Sequence, residues 1–413
     1  MTDAPRDEPS SSGTSLSSGS AAFEEVDWEE VDGSRQWLTA ERVALVVGLL
    51  VVAAAYYYFQ TYRRTNLVMQ WSIGNEDWLL MFAVVLLVAY GVVPLAKRPA
   101  SLRRTVGRLT RRVPTLLSLL FLAALLGVSL WAILRGFEPS LGSPSEGWTV
   151  EKFQPPVGTT VAYDVTGKDC VGELTGDITD FDSERQCHGT WEYPLGTDNW
   201  GYDMRELLIV GARPFAYLSL VTLGLIVPLA TAVGMVAAYY GGRIDDLLMA
   251  YVDVQLAVPA VLIYMIAYQF FFNSMAMLLV AFGLLSWGGI ARIVRSEALQ
   301  RSEEGYVLAA RSVGAPDRYV LRRHLFPNIT NTVVPATFHL IAILVLSEAG
   351  LAFLGFHASF QSWGMTISEG VFYGSAQGWW NSAFPEVAIA LTVGALKIAG
   401  DGFRDVLDPR GNR

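Results

Sequence analysis

The sequence AARSVGAPDRYVLRRHLFP, Ala309 to Pro327, is a polar stretch between two long apolar segments. Gly314 comes four residues after Ala310 and can adopt the left-handed conformation that ends a helix. Pro316 has a backbone angle suited to the first turn of a second helix, and Pro327 is expected to stop that helix. The pattern predicts a short helix, a tight turn and a second short helix at a membrane surface.

The composition on both sides of this stretch is that of a membrane protein. Of the 413 residues, 52% are hydrophobic and 17% are charged, whereas a soluble domain carries about 25% charged residues. Several uncharged apolar runs approach the ~20 residues that cross a bilayer as a helix. We therefore predict an all-α polytopic membrane protein. The predicted spans are Val43–Phe59, Trp78–Ala96, Val113–Leu134, Pro214–Tyr240, Leu247–Phe272, Ser274–Ala291, Thr332–Phe353 and Ala383–Ala399.

The orientation is predicted from a basic linker, Lys97 to Arg112, which has seven basic residues and no acidic one. Such a run after a span is typical of the cytoplasmic side. Residues 1–42 are then a cytoplasmic tail, Ser-rich and then acidic, and are predicted to be disordered. The alternative is that its EEVDWEE sequence is a docking peptide. The C-terminal segment from Gly400 is also expected in the cytoplasm.

The long segment 136–206 is expected outside the membrane, on the extracytoplasmic side. It has fourteen acidic and four basic residues and reads as irregular or as a small β-rich region. Cys170 and Cys187 both lie in it, outside the reducing cytoplasm, so we predict one disulfide. The alternative is two free, buried thiols. Asp203 and Glu206 have the spacing of a capping box, which predicts a helix starting at Asp203.

The opening stretch resembles a signature of importers of the ATP-binding-cassette class. Their membrane subunits carry Glu-Ala-Ala, three residues, Gly, nine residues, then Ile-x-Leu-Pro. Ala309, Ala310, Gly314 and Pro327 occupy matching positions. The replacements are Leu308 for Glu, His324 for Ile and Phe326 for Leu.

Further motifs resemble the dipeptide and oligopeptide permease family, which also includes nickel permeases. Residues 195–198 read Leu-Gly-Thr-Asp, although Tyr202 stands where the family usually has Arg. Residues 347–349 read Ser-Glu-Ala and residues 362–364 read Ser-Trp-Gly. The resemblance covers about residues 113–413 and implies a six-span permease core there. The first two predicted spans, within 43–112, are additions to that core and lie outside the resemblance.

The resemblance implies a permease subunit of the cell membrane that forms half of a translocation pathway for di- or oligopeptides. Implied partners are two ATPase subunits that hold ATP and Mg, a second homologous permease, an extracytoplasmic solute-binding protein and membrane lipid. Segment 292–327 is the implied ATPase-coupling hairpin. Its candidate residues are Ala309, Ala310, Arg311, Gly314, Ala315, Pro316, Asp317, His324 and Pro327. The alternatives are a nickel or other small-solute importer of this family, or an ATP-independent scaffold or channel.

Asp253 and Glu348 are candidate polar residues of the pathway or the bundle, because ionisable groups at membrane depth normally face the bundle or a water-filled path. For Asp253 the alternative is solvation or pairing with Arg243, and for Glu348 it is a structural hydrogen bond. No Walker P-loop is present, because Gly167-Lys168 lacks the required preceding Gly. The sequence also has no metal-site or nucleophile motif, so we expect no enzyme activity, no cofactor bound by this chain and no nucleic-acid partner.

Overall fold

The computed structural model describes residues 39–62, 71, 73–97, 99–140, 151–176, 185–270, 274–356, 361–372 and 378–407. The predicted acidic tail lies almost wholly outside the described residues. The chain is built mainly from helices, as predicted. The helices are α1 (Ala40–Tyr62), α2 (Asn75–Ala96), α3 (Pro99–Leu109), α4 (Val113–Arg135), α5 (Met204–Tyr240), α6 (Gly242–Ala257), α7 (Ala260–Phe270), α8 (Met275–Leu285), α9 (Gly288–Ser302), α10 (Gly305–Ser312), α11 (Asp317–Phe353), α12 (Trp363–Phe372) and α13 (Trp380–Leu407).

The number of spans agrees with the sequence analysis. Within the described residues, seven helices or runs of helices are long and apolar enough to cross a membrane, and the bent pair α6–α7 makes up to eight. The two helices of that pair meet at 69°. Pro259 lacks a backbone N–H, and Val258 before it is extended, with φ −99° and ψ 114°, so α6 ends there. The described part of the predicted span Leu247–Phe272 thus consists of two helices that meet at a sharp bend.

Three of the spans contain a π-helical segment that ends two residues before a proline. The segments are Val88–Val92 before Pro94, Thr222–Ile226 before Pro228, and Val320–Leu325 before Pro327. Proline removes a donor and crowds the carbonyl of the preceding turn, and a widened turn accommodates both effects. The prediction that Pro327 ends a helix was therefore wrong, because α11 continues through it to Phe353.

Helix α2 joins the first two spans to the rest of the bundle. Its Asp77 is 1% exposed, and the Asp77 carboxylate accepts hydrogen bonds from the Tyr217 hydroxyl of α5 and from the Gly74 backbone N–H, both at 2.7 Å. Elsewhere on α5, Gly224 packs directly against the backbone of α2. A Cβ at this position would lie only 2.1 Å from the carbonyl oxygen of Ala83. By contrast, α1 packs against α2, and none of the residues in its apolar stretch is buried. Helix α2 is therefore an integral bundle helix, and α1 lies at the edge.

The connection between α4 and α5 contains a small β-structure, one of the two alternatives expected for segment 136–206. The strands β1 (Thr160–Ala162), β2 (Leu174–Thr175) and β3 (Gln186–His188) form an antiparallel sheet in the order β1-β3-β2. The predicted disulfide between Cys170 and Cys187 is present, with a Cα–Cα distance of 5.7 Å. It ties β3 to the turn that precedes β2. We refer to residues 151–206 as the sheet region.

Two tryptophan indoles attach the sheet region and the start of α5 to the C-terminal helices. Trp380 of α13 donates to the carbonyl oxygen of Thr197 at 2.9 Å, and Trp363 of α12 donates to that of Leu208 at 3.0 Å. Helix α12 lies between the last two predicted spans, where no helix was predicted from the sequence. Its ten residues are too few to give a clear helical period in the sequence.

The start of α5 is partly as predicted. The Asp203 carboxylate caps the helix by accepting from the Arg205 backbone N–H at 2.8 Å. The Glu206 carboxylate does not return the bond to Asp203, as a full capping box requires. It accepts instead from the backbone N–H of Ser140, at 2.7 Å, and from the Ser140 hydroxyl. Ser140, which follows α4, is thus the partner of Glu206 in place of the backbone N–H of Asp203.

The basic linker also contains a helix, α3, which the sequence analysis missed. Ion pairs connect both flanks of α3 to other helices. Lys97 lies 2.7 Å from Glu41 of α1, and Arg112 pairs with Asp405 of α13. These contacts place the start of α1, helix α3 and the end of α13 at one end of the bundle, which we call the basic end.

Candidate functional site

The hairpin predicted at 309–327 contains a tight turn closed by Gly314. Gly314 has φ +75°, the left-handed conformation that was predicted. Its N–H donates to the carbonyl oxygen of Arg311, and the N–H of Ala315 donates to that of Ala310, both at 3.0 Å. This pair of bonds satisfies carbonyls left free at the end of α10. Pro316 is extended, with ψ 145°, and precedes the second helix instead of starting it.

A small apolar core holds the two arms of the hairpin together. Val307 of α10, Ala315 of the turn and Val320 of α11 are buried against one another. Around them pack three partly buried side chains, Tyr239, Ala310 and Tyr319. Burying these groups favours one arrangement of the two arms. The two arms of the hairpin therefore form one packed unit.

Tyr239, near the end of α5, links the hairpin to the bundle. Its hydroxyl donates to the Asp317 carboxylate at 2.7 Å, and the Arg311 guanidinium lies over its ring, 4.4 Å from the centroid. The two arms of the hairpin thus hold one aromatic side chain between them. Displacement of the hairpin must either carry α5 along or break both contacts.

His324 lies between two tyrosine rings at the start of α11. Its ring centroid is 5.8 Å from that of Tyr306 in α10 and 5.5 Å from that of Tyr319 in α11. The Asn328 amide donates to the Tyr306 hydroxyl at 3.2 Å. These contacts attach α10 to the part of α11 that enters the long span. His324 is therefore packed between residues of both arms of the hairpin.

The outward side of the hairpin exposes an apolar patch with basic neighbours. Leu308 is 49% exposed and Val313 is 57% exposed. Ala309 and Arg318 are exposed as well, whereas Ala310 is partly buried against the small apolar core. Only Ala309 of the two small residues is therefore available to an approaching surface. We call Leu308, Ala309, Val313 and Arg318 the hairpin surface.

The candidate residue Asp253 lies on α6, exposed and paired with Arg292 of α9. The sequence analysis named Arg243 as its alternative partner, and this was wrong. Packing of α9 along α6 brings Arg292 to Asp253, and a second pair, between Arg295 and Asp245, holds the same two helices. The Asp253 side chain is 61% exposed. It therefore does not face the interior of the bundle that this chain forms.

Glu348 occupies a different place, inside the bundle near the far end of α11. It is 4% exposed, and among the described residues its Oε1 has no hydrogen-bond partner. The segment entering α12 packs closely beside it, because a Cβ on Gly364 would lie 2.1 Å from the carbonyl oxygen of Ala349. The structure does not bring Glu348 and Asp253 together, and Glu348 is covered by α12 instead of lining an open channel.

Sequence reasoning missed Tyr239 and Tyr306 as parts of the site. Tyrosine at the end of an apolar span is typical of the membrane interface, so nothing local distinguished Tyr239 from Tyr240. The sequence feature that could have indicated this contact is an aromatic residue at the end of a span together with a polar hairpin that contains Arg and Asp.

Comparison with known proteins agrees with this arrangement. Residues 230–413 match the family described as "Binding-protein-dependent transport system inner membrane component". The chain is 36% identical over 224 residues to a putative peptide transport system permease protein of Brucella suis biovar 1 (strain 1330), covering 53% of this chain and 74% of that protein. It is 31% identical over 218 residues to the dipeptide transport system permease protein DppC of Bacillus subtilis (strain 168), covering 52% and 68%.

A further relative is the oligopeptide transport system permease protein OppC of Bacillus subtilis (strain 168), which is 29% identical over 222 residues, covering 52% of this chain and 71% of that protein. The matched family segment contains the whole hairpin and the spans on both sides of it. The chain therefore belongs to the family of binding-protein-dependent transport system inner-membrane components, the permease subunits of ATP-binding-cassette importers.

Proposed function

We propose that this chain is the permease subunit of an ATP-driven importer of di- and oligopeptides and forms half of the translocation pathway. The observation that carries the proposal is the structure of the hairpin. Gly314 closes its turn, Tyr239 connects it to α5, and its second arm continues as α11 into a span. The permease core comprises 113–413, with the coupling segment at 292–327. Residues 43–112 are an accessory part.

The hairpin is suited to transmit movement. An amphipathic helix that seats in a groove of a partner is a recurrent mode of recognition, and the exposed apolar hairpin surface offers such a helix. We infer that two ATPase subunits bind ATP and Mg and receive this surface. Their closure would displace the hairpin, and α5 and α11 would move with it between two states of the bundle.

A second homologous permease is inferred from the exposed side of α6. The Asp253–Arg292 pair is exposed in the single chain, and ionisable groups at membrane depth rarely face lipid. The neighbouring apolar side chains of α6 are exposed as well, Leu247 by 73% and Val254 by 66%. A partner permease over this face would cover the ion pair and the apolar side chains, and it would complete the pathway.

We place the basic end and both termini in the cytoplasm of a cell-membrane protein, because Lys97–Arg112 is free of acidic residues. The sheet region then lies outside, where its disulfide is stable. An extracytoplasmic solute-binding protein would dock there. The substrate class is supported by the names of the relatives, which are peptide, dipeptide and oligopeptide permeases.

The first experiment is purification of the tagged chain from native membranes in mild detergent, with identification of the co-purifying proteins. P-loop ATPases, a second multi-span permease and a solute-binding protein are expected. The assembled complex is then reconstituted in liposomes, and its ATP hydrolysis is measured with di- and oligopeptides and with Ni²⁺. Stimulation by Ni²⁺ alone would replace the peptide assignment. Repeated isolation of this chain alone would favour the ATP-independent scaffold or channel.

The second experiment is Gly314→Pro in the same complex. Proline cannot adopt φ +75° and has no N–H to donate to Arg311, so the turn must change. We expect ATP hydrolysis to be uncoupled from peptide uptake. Gly305→Ala is the matched control, because a Cβ at Gly305 meets no atom within 4 Å. Unchanged uptake in a Gly314→Pro complex that assembles normally would contradict the coupling role.

A further inference from the structure

Helix α3 has two distinct faces that the transport mechanism does not use. At helical spacing, Leu102, Val106 and Leu109 share one face, and Arg104 and Arg108 lie on the opposite one. Leu109 is buried, while Leu102 is 36% and Val106 46% exposed. Since α3 connects two span ends, its apolar face is placed to rest on the membrane, and Arg104 and Arg108 then point away from it.

These arginines lack acidic partners in the part of the chain that the structure describes. The ion pairs on the flanks of α3 involve Lys97 and Arg112, and none is formed there by Arg103, Arg104 or Arg108. All three arginine side chains are exposed. Arg103 and Arg104 also line an open depression at the start of the helix, together with Pro99 and Ala100. The outer face of α3 is thus a basic surface that can accept an acidic partner.

An acidic segment of the same chain precedes α1 in the sequence. Residues 23–32 read FEEVDWEEVD, with six acidic residues and no basic one. The Lys97 Nζ, two residues before α3, lies 2.7 Å from the Glu41 carboxylate of α1, so the start of α1 is near the start of α3. The seven residues 33–39 span at most about 25 Å when extended, and α3 is about 16 Å long. The acidic segment can therefore reach every arginine of α3.

We propose that residues 23–32 bind along the outer face of α3, with their carboxylates paired to Arg103, Arg104 and Arg108. The competing occupant, anionic lipid, suits this face less well, because Arg104 and Arg108 lie opposite the apolar side. Exposed charge pairs weaken as salt rises, since the screening length falls from about 10 Å at 0.1 M to about 3 Å at 1 M. The contact is therefore sensitive to ionic strength. It does not depend on the transport function, because it rests on the Glu41–Lys97 contact and on the opposite charges of the two segments.

Spin labels on the full-length chain test this contact. The only two cysteines are joined in the disulfide, so labels at Trp28→Cys and Gly107→Cys are unique. Gly107 is exposed, and a Cβ there meets no atom within 4 Å. In phosphatidylcholine nanodiscs at low salt we expect a short, narrow distance distribution. It should lengthen and broaden at high salt and with Arg104→Glu/Arg108→Glu.

Charge reversal in both segments provides the decisive comparison. Adding Glu24→Lys, Glu25→Lys and Asp27→Lys to the double reversal should restore the short distance. Arg243→Glu is the matched control, because it is an exposed arginine at the start of α6 and should leave the distance unchanged. A broad distribution in phosphatidylcholine at low salt overturns the proposal. If the label at Gly107→Cys responds to phosphatidylglycerol and no short distance to residue 28 is found, the surface binds anionic lipid instead.

Discussion

At the residue scale, Tyr239 is the side chain of α5 that makes polar contacts with the hairpin within the described residues. It makes two such contacts, one to each arm of the hairpin. Its neighbour Tyr240 is 50% exposed and belongs to the same span end. The two tyrosines are alike in sequence, yet only Tyr239 meets Asp317. Which tyrosine contacts the hairpin follows from the rotation of α5.

Tyr239→Phe tests the link between hairpin and span. The substitution removes the bond to Asp317 and keeps the ring beneath Arg311. A hydrogen bond of this kind contributes about 1 kcal/mol, which corresponds to roughly a fivefold change in an equilibrium constant. In reconstituted complexes we expect less peptide transported per ATP hydrolysed. Tyr240→Phe is the control, and an equal loss in both variants would refute the specific role of Tyr239.

Asp198 predicts a pH dependence in the sheet region. Its carboxylate is 1% exposed, and burial raises its pKa from 3.8 to about 6. The folded chain then keeps this proton to higher pH than the unfolded chain. Stability therefore falls as the pH rises from about 4 to about 6, by about 3 kcal/mol in total.

Asp198→Asn should remove this dependence, because an amide cannot ionise. We expect the variant to melt at a higher temperature than the original chain at pH 7 and at about the same temperature near pH 4. Asp164→Asn, at an exposed position of the same region, is the control. If the melting temperatures of the Asp198 variant and the original chain differ by the same amount at every pH in this range, burial does not shift the pKa of the Asp198 carboxyl group.

At the element scale, short strands and broken helices are held by contacts from outside themselves. The strands of the sheet have two or three residues each, too few to be stable alone. The disulfide and the apolar cluster around Cys187 and Trp380 supply the missing support. The π-helical segments each precede a proline, and the widened turn lets the helix continue through it.

Replacing both cysteines should loosen the sheet region. The bridged residues are 17 positions apart, and closing a loop of that size stabilises a fold by about 3 kcal/mol. Cys170→Ala/Cys187→Ala avoids placing a hydroxyl in the buried cluster. We expect faster proteolysis within 151–206 and little change at α13. The original chain treated with a reductant should match the variant, and equal digestion rates with the bridge intact or absent would contradict the prediction.

At the scale of the whole molecule, the accessory part is not a loose addition. Helix α2 shares a buried hydrogen bond with α5 through Asp77 and Tyr217, and it approaches α5 at backbone distance beside Gly224. Helix α5 also carries Tyr239, which holds the hairpin. The accessory part is thus packed on the span that links the hairpin to the bundle.

Gly224→Ala should separate α2 from α5. The added Cβ would lie 2.1 Å from the carbonyl oxygen of Ala83, and overpacking of this kind costs about 1–3 kcal/mol. Hydrogen exchange followed by mass spectrometry should show faster exchange in the first half of α2 and no change in α13. Gly127→Ala in α4 is the control, since a Cβ there meets no atom within 4 Å. Equal protection of α2 in both variants would mean that this packing does not hold the accessory part.

The sequence by itself determined the spans, the left-handed Gly314 and the cysteine pair. Each depends on hydropathy, on the backbone freedom of one residue or on a count of thiols. Only the tertiary structure decided that α11 continues through Pro327, that Asp253 pairs with Arg292 and that Tyr239 holds the hairpin. The physical reason is that a partner is chosen by which helices pack together and at what rotation. Residues far apart in the chain set that geometry, so no local pattern contains it.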